Sequence, residues 1–180
     1  MEELINQLIK EGYLKTSLII EAFRKIKRED FVLEELKEEA DINAPLPIGY
    51  GQTISQPLTV AFMLELLQPQ PGDKILDIGS GSGWQTAMLA YCVKPNGKVF
   101  AIERIPELVE FGKKNISKYN FLAPYRTEGS GSGIEKRIVE FILGDGSRGY
   151  KKEAPFDKII AAASAEKIPE EWKEQLKIGG

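Results

Sequence analysis

A glycine-rich segment between an apolar run and a helical pattern constrains the fold of this chain more than any other feature. Residues 74–78 predict a short buried strand, residues 79–83 alternate glycine with serine, and residues 84–91 have the apolar periodicity of a helix. Glycines at such a turn let the backbone approach a ligand closely, and the helix that follows directs unpaired N–H groups towards it. The segment therefore predicts a strand–turn–helix unit that binds a ligand at its turn.

The same alternation continues along the chain, with further strands and helices predicted at 98–102, 106–118, 138–143, 156–163 and 169–176. The residues before it predict an ordered loop over 41–56 and a helix over 2–11. They also predict a second helix with Ser17 as its N-cap, a third with Asp30 as its N-cap that runs to about Ala40, and a fourth from Pro57 to about Leu67. Strands that alternate with helices indicate an α/β fold with a parallel sheet. We expect one domain over 1–180, in which 1–56 form N-terminal helices and a loop and 57–180 form the core.

Composition excludes several classes of chemistry. The chain has no histidine and one cysteine, Cys92, so an internal disulfide is impossible, a zinc site is disfavoured and no histidine can act as a catalytic base. The net charge is −3 with acids and bases interspersed, which argues against nucleic acid as a partner. Apolar stretches are too short for a membrane span, and the acidic N-terminus is unlike a signal peptide. We expect a cytoplasmic protein that uses carboxylates, hydroxyls, backbone dipoles or a cofactor.

Acidic residues follow successive predicted strands, where open α/β sheets bind ligands. Asp77 precedes the glycine segment, Glu103 ends the next strand at a place suited to ribose hydroxyls, and Asp145 and Gly146 follow the third strand near an expected adenine. The GxGxG spacing differs from the GxGxxG of dinucleotide sites. A nucleoside-containing cofactor without pyrophosphate is therefore favoured, although a ligand-free tight turn and a solvent-facing Glu103 remain open.

Residues 44–57 resemble the characteristic motif of the protein-L-isoaspartate O-methyltransferases, and their most specific part is Thr53-Ile54-Ser55-Gln56-Pro57. Residues 77–87 are similar to the S-adenosyl-L-methionine (SAM) motif of that family. Residues 144–146, 154–157 and 175–180 extend the similarity over nearly the whole chain.

The resemblance implies a Rossmann-like class I SAM-dependent methyltransferase fold with strand order 3-2-1-4. It also implies methyl transfer from SAM to the α-carboxyl of L-isoaspartyl residues in damaged proteins, which is a protein repair reaction without a metal. Ser55 matches the active-site serine, although a serine before Pro57 is by itself better explained as a helix N-cap. The resemblance places in the SAM pocket Thr53, Ile54, Asp77, Gly79, Gly81, Glu103, Asp145 and Gly146.

The chain departs from the family pattern at three places. Residues 122–133 end in a spacer-like Gly-Ser-Gly-Ser-Gly and suggest an insertion, natural or engineered, and Ala165-Glu166 stands where the family has Ala-Pro. The family also continues beyond residue 180 with further strands. Strand 156–163 would then be an uncovered edge, from which we expect a homodimer or another covering device.

Three alternative functions therefore stay open beside the repair enzyme. The first is a truncated or engineered scaffold without catalytic activity, which would serve as a binding module. The second is a Rossmann-type oxidoreductase, disfavoured by the GxGxG spacing. The third is a methyltransferase for a small molecule, which leaves the motif at Thr53–Pro57 unexplained.

Overall fold

The computed structural model describes residues 1–122, 137–164 and 167–180. Its helices and strands, in chain order, are α1 (Glu2–Lys10), α2 (Ser17–Lys25), β1 (Leu46–Gly49), β2 (Gln52–Ile54), α3 (Pro57–Leu67), β3 (Lys74–Ile78), α4 (Trp84–Val93), β4 (Lys98–Glu103), α5 (Pro106–Ser117), β5 (Val139–Leu143), β6 (Lys158–Ala161) and α6 (Glu170–Glu174). None of the helices in these ranges is long and apolar enough to cross a membrane.

Four strands form the central sheet in the order β5-β4-β3-β6, and every neighbouring pair is parallel. Nearly every residue of β3 and β4 is buried, as expected where helices cover both faces of a parallel sheet. The predicted α/β class and the predicted order 3-2-1-4 are confirmed. After β3 the chain adds β4 and β5 on one side of this strand and later adds β6 on the other side. This reversal of strand order opens a crevice at the carboxyl end of the sheet.

The third helix predicted from Asp30 does not form. Two 3-10 helices take its place, Arg28–Phe31 and Glu34–Glu39. The Asp30 carboxylate accepts hydrogen bonds from the Tyr119 hydroxyl (2.6 Å) and the Lys118 ammonium (3.1 Å), so it is engaged in tertiary contacts and does not cap a helix.

The N-cap predicted at Ser17 is also wrong, because Thr16 is the N-cap of α2 and neither hydroxyl caps the helix. Glu65 of α3 instead accepts from the backbone N–H groups of Lys15 and Thr16, at 2.8 Å each. These bonds fix the chain that leads into α2 but do not cap the helix, because a capping side chain accepts from N–H groups inside the first turn.

The loop predicted over 41–56 contains a β-hairpin. Strands β1 and β2 pair antiparallel, with Leu46 opposite Ile54 and Pro47 opposite Thr53. Tyr50, at the tip, has a φ of 54° between two glycines that also have positive φ. The proline and glycine content that predicted a loop therefore belongs to a tight turn and its short strands.

Arg28 fixes the hairpin to the rest of the protein. Its side chain is 1% exposed, and its guanidinium lies 5.3 Å from the centre of the Trp84 ring. The guanidinium donates to four backbone carbonyls, those of Ala40 (2.9 Å), Ile42 (3.2 Å), Ala44 (2.8 Å) and Ser55 (3.1 Å). Burial lowers the pKa of Arg28 to about 10, so the group stays charged at neutral pH.

The expected edge at 156–163 is partly covered. Just before β6, Phe156 donates its N–H to the Gln175 carbonyl (2.8 Å) and accepts from the Lys177 N–H (2.9 Å). This single parallel bridge joins Phe156 to Leu176, whereas β6 itself pairs with β3 alone among the strands described. Of the suspected insertion at 122–133, only Leu122 lies within the described ranges, and Ala165 and Glu166 lie outside them.

We expect Arg28→Met to lower the free energy of unfolding by about 3 kcal/mol, because it leaves buried carbonyls without a donor. Urea unfolding at pH 7 measures the change. Arg24→Met is the matched control, since the Arg24 guanidinium pairs with Glu2 on the surface and its loss costs about 1 kcal/mol or less. Equal losses in both variants would contradict the bridging role of Arg28.

Candidate active site

The crevice at the carboxyl end of the sheet holds a cavity of about 390 Å³. Its walls come from the ends of all four parallel strands, the hairpin and α6, and consist of Gln52, Thr53, Ile78, Gly79, Gly81, Ile102, Glu103, Arg104, Gly144, Asp145, Gly146, Ser147, Ala162, Ala163, Ser164 and Trp172. Six of the residues predicted to bind cofactor therefore meet at one place: Thr53, Gly79, Gly81, Glu103, Asp145 and Gly146.

The glycine segment forms the floor of the cavity. The N–H groups of Gly79 and Ser80 both donate to the Ile102 carbonyl, at 2.9 and 3.1 Å, which fastens the turn to the end of β4. Gly79 has a φ of +81°, and a Cβ there would lie 3.1 Å from the Ala163 Cβ. The position therefore needs glycine, because a side chain would be strained and crowded.

Glu103 presents a fixed carboxylate to the cavity. One oxygen accepts from the Gly81 N–H (3.0 Å), and the other accepts from the N–H groups of Arg104 (2.8 Å) and Ile105 (3.0 Å). The residue is only 7% exposed. Carboxylate oxygens have further lone pairs, so this group can still accept hydrogen bonds from ligand hydroxyls.

The far wall is built on the turn after β5. Asp145 accepts from the Ser147 N–H (2.9 Å), a bond that lowers the pKa of Asp145. Trp172 donates its indole N–H to the Gly146 carbonyl (2.9 Å). The sequence analysis missed Trp172, although an indole among the charged residues of α6 was a signal for it.

Asp77 is placed differently from the other predicted cofactor ligands. It is fully buried beneath the glycine segment, where its carboxylate accepts from the Gln85 amide (2.9 Å) and the Thr86 hydroxyl (2.6 Å). Burial, with a smaller contribution from the nearby Glu103 charge, raises the pKa of Asp77 to about 6. Asp77 is not among the residues that line the large cavity, and it ties β3 to α4 instead.

A smaller cavity of about 40 Å³ adjoins the large one and contains Ser55 and Ile54 in its lining. The two cavities share Thr53, Gly79, Gly81 and Ala162. Ser55 therefore lies next to the glycine segment and close to the proposed cofactor space.

Ser55 is not the N-cap of α3, so this interpretation is wrong. Gln56 is the N-cap residue, and its side chain makes no capping hydrogen bond. Asn43 supplies the acceptor instead, since its side-chain oxygen lies 3.0 Å from the Leu58 N–H. The Ser55 side chain therefore caps no helix, and the backbone carbonyl of Ser55 accepts a hydrogen bond from Arg28.

We expect the stability difference between Asp77→Asn and the parent protein to depend on pH. The folded protein keeps the Asp77 proton up to about pH 6, whereas an unfolded chain loses it near pH 4. The unfolded state therefore binds fewer protons in this window, and the parent loses stability as pH rises from about 4 to 6. The variant has no such group, so it should gain about 3 kcal/mol relative to the parent between pH 4 and 7. Urea unfolding at both pH values tests this, and a constant difference would contradict it.

Comparisons with known proteins give a consistent result. The family model described as Protein-L-isoaspartate(D-aspartate) O-methyltransferase (PCMT) matches residues 1–180. The protein-L-isoaspartate O-methyltransferase of Methanopyrus kandleri is 44% identical over 179 residues, which cover 99% of this chain and 73% of the relative. The protein of the same name from Ignicoccus hospitalis is also 44% identical over 178 residues, which cover 99% of this chain and 77% of the relative.

Solved structures agree with the sequence comparisons. A protein-L-isoaspartate O-methyltransferase superposes with a TM-score of 0.82 at 29% identity, over 99% of this chain and 53% of that one. The chain thus spans about half of that structure. A putative protein-L-isoaspartate O-methyltransferase from Plasmodium falciparum, in complex with S-adenosyl-L-homocysteine, gives a TM-score of 0.81 at 25% identity, over 97% of this chain and 78% of that one.

Proposed function

Because the chain belongs to the protein-L-isoaspartate O-methyltransferase family, we propose that it transfers a methyl group from SAM to the α-carboxyl of L-isoaspartyl residues in damaged proteins. The observation that carries the proposal is that Ser55 and the fixed Glu103 carboxylate line adjoining cavities that share the glycine segment. One cavity suits a nucleoside, and the other brings a hydroxyl close to it.

The residues present fit SAM. Its ribose has two hydroxyls, and the Glu103 carboxylate can accept hydrogen bonds from them. Gly146 has no room for a side chain, since a Cβ there would lie 2.4 Å from Ile78 Cγ2. The cavity wall at this position is therefore bare backbone, against which a flat nucleobase can lie. The lining carries the acids Glu103 and Asp145 and one cation, Arg104, a balance that suits a positively charged ligand better than a pyrophosphate.

The predicted site residues divide into three groups on this proposal. Glu103 binds the ribose, and Asp145 and Gly146, backed by Trp172, bound the adenine end. The methionine end lies along the glycine segment against Gly79, Gly81, Thr53 and Ile54. Asp77 acts from beneath by holding Gln85 and Thr86, because its carboxylate is bonded to both and is fully buried.

SAM supplies an electrophilic methyl group on a sulfonium when it is bound. The isoaspartyl α-carboxylate is ionised at neutral pH, so the protein needs no base to remove a proton. Its task is to orient the carboxylate and to exclude water. We assign the orientation to the Ser55 hydroxyl, which can donate a hydrogen bond to one carboxylate oxygen, and Arg28 fixes the Ser55 backbone through its carbonyl.

Isoaspartyl proteins and peptides are the proposed partners, and the cytoplasm is the proposed location. The Cys92 thiol is free and buried, and burial raises its pKa to about 12, which makes it a poor nucleophile.

We expect Glu103→Gln to weaken SAM binding about tenfold by removing a charged acceptor, and to change kcat little. Ser55→Ala should have the opposite effect, with kcat lowered about tenfold or more and SAM affinity retained. Calorimetric titration with SAM and methyl transfer to an isoaspartyl peptide measure both. Glu140→Gln, at a surface ion pair with Lys98, is the control.

Three outcomes would count against these assignments. Unchanged SAM affinity in Glu103→Gln would remove the ribose role. Unchanged kcat in Ser55→Ala would remove the orienting role. A folded parent protein that binds SAM but does not methylate the peptide would favour the non-catalytic scaffold.

We also propose a homodimer through β6. Among the described residues, only Phe156, just before the strand, is bridged on the outer side, and β6 is the edge strand of the described sheet. Such an edge favours pairing with another strand. Light scattering during size-exclusion chromatography should show twice the monomer mass of 20.1 kDa, and a monomer at high concentration would contradict the dimer.

A further inference from the structure

Two buried acceptor atoms in the described part of the chain lack a hydrogen-bond partner and belong to residues that line one cavity. They are Ser80 Oγ and Gln85 Oε1, on side chains of residues that are 6% and 7% exposed. Both residues line the small cavity that also contains Ser55. Buried acceptors without donors are costly and rare, so two at one cavity indicate that a ligand group supplies the donors.

The orientation of the Gln85 amide is dictated by Asp77. The Gln85 NH₂ group donates to one Asp77 oxygen at 2.9 Å, while the Thr86 hydroxyl donates to the other at 2.6 Å. An ionised carboxylate only accepts hydrogen bonds, so the amide cannot turn around without placing two acceptors against each other. Gln85 must therefore present its oxygen, and not its NH₂ group, to the cavity.

The charge around the small cavity favours a cation. The Asp77 carboxylate lies directly behind the Gln85 amide, and no lysine or arginine is among the residues that line this cavity. A ligand group that donates several hydrogen bonds and carries positive charge matches both the acceptors and the field. An ammonium group has these properties, and the cavity of about 40 Å³ has room for an ammonium group but not for a nucleobase.

We propose that Gln85 Oε1 and Ser80 Oγ bind the α-ammonium group of the methionine moiety of SAM. This inference rests on the proposed function and adds to it two binding residues outside the predicted set. The small cavity shares its Thr53, Gly79 and Gly81 wall with the large one, so one ligand can extend from Glu103 to Gln85. Fixing both ends of the ligand determines where its sulfonium lies relative to Ser55.

The test compares two ligands that differ at the amino-acid end. S-adenosyl-L-homocysteine carries the ammonium group, whereas 5′-methylthioadenosine has the same nucleoside and thioether without it. We expect Gln85→Met to weaken binding of S-adenosyl-L-homocysteine about tenfold and to leave 5′-methylthioadenosine unchanged, as measured by calorimetry. Ser80→Ala is a smaller change and should weaken binding of S-adenosyl-L-homocysteine a few-fold, again without affecting 5′-methylthioadenosine. This variant provides the test if Gln85→Met does not fold.

Glu140→Gln, at the surface ion pair with Lys98, is the control, because it leaves Asp77 and both of its hydrogen-bond donors in place. It should not change the ratio of the two affinities. The inference is overturned if Gln85→Met or Ser80→Ala weakens both ligands by the same factor, or neither. Failure of the parent protein to bind either ligand would instead overturn the proposed function, together with the inference that rests on it.

Discussion

The buried carboxylate of Asp77 is the constraint on which the site depends. It ends the central strand of the sheet and binds two side chains in the first turns of α4, so the glycine segment between them has its two ends fixed. Burying an unpaired carboxylate is costly, and the two donors make it tolerable. The positions of Gly79 and Gly81, and through Gly81 that of Glu103, follow from this connection.

Arg28 has a similar role on the other side of the crevice. It lies outside the sheet, in the segment that precedes the hairpin, yet its guanidinium joins three carbonyls of residues 40–44 to the carbonyl of Ser55. A single buried cation thus positions the proposed catalytic serine without touching its side chain. The cavity is shaped by two buried charges of opposite sign, one in the sheet and one in the N-terminal segment.

The sheet was predictable because its signals are local. Apolar runs separated by glycine and helical patterns locate the four strands along the chain, and Pro57 marks the start of α3. The spatial order β5-β4-β3-β6 was implied by the family resemblance. The absence of the helix expected from Asp30 and the contacts of the chain before α2 involve partners distant in sequence. Tyr119 and Lys118 bind Asp30, and Glu65 binds the chain before α2, contacts that no local pattern encodes.

The site was predictable to the same extent. Residues at strand ends, such as Glu103 and Asp145, were found because a parallel sheet brings those ends together. Asp77 was expected to line the pocket, but its position at the strand end does not reveal which way its side chain points. Trp172 and Gln85 were not among the predicted binding residues, because their placement depends on tertiary hydrogen bonds. The Trp172 indole is held by the Gly146 carbonyl, and the Gln85 NH₂ group is held by Asp77.

The indole of Trp172 makes the last helix part of the cavity wall. Its N–H bond to Gly146 makes α6 a support of the cavity wall, and Gln175, just after the helix, accepts from the Tyr150 N–H (2.6 Å) in the same turn region. A ligand that binds only the formed wall favours the formed state by mass action. Occupancy of the cavity and docking of the C-terminal helix are therefore thermodynamically linked, and each raises the equilibrium constant of the other by the same factor.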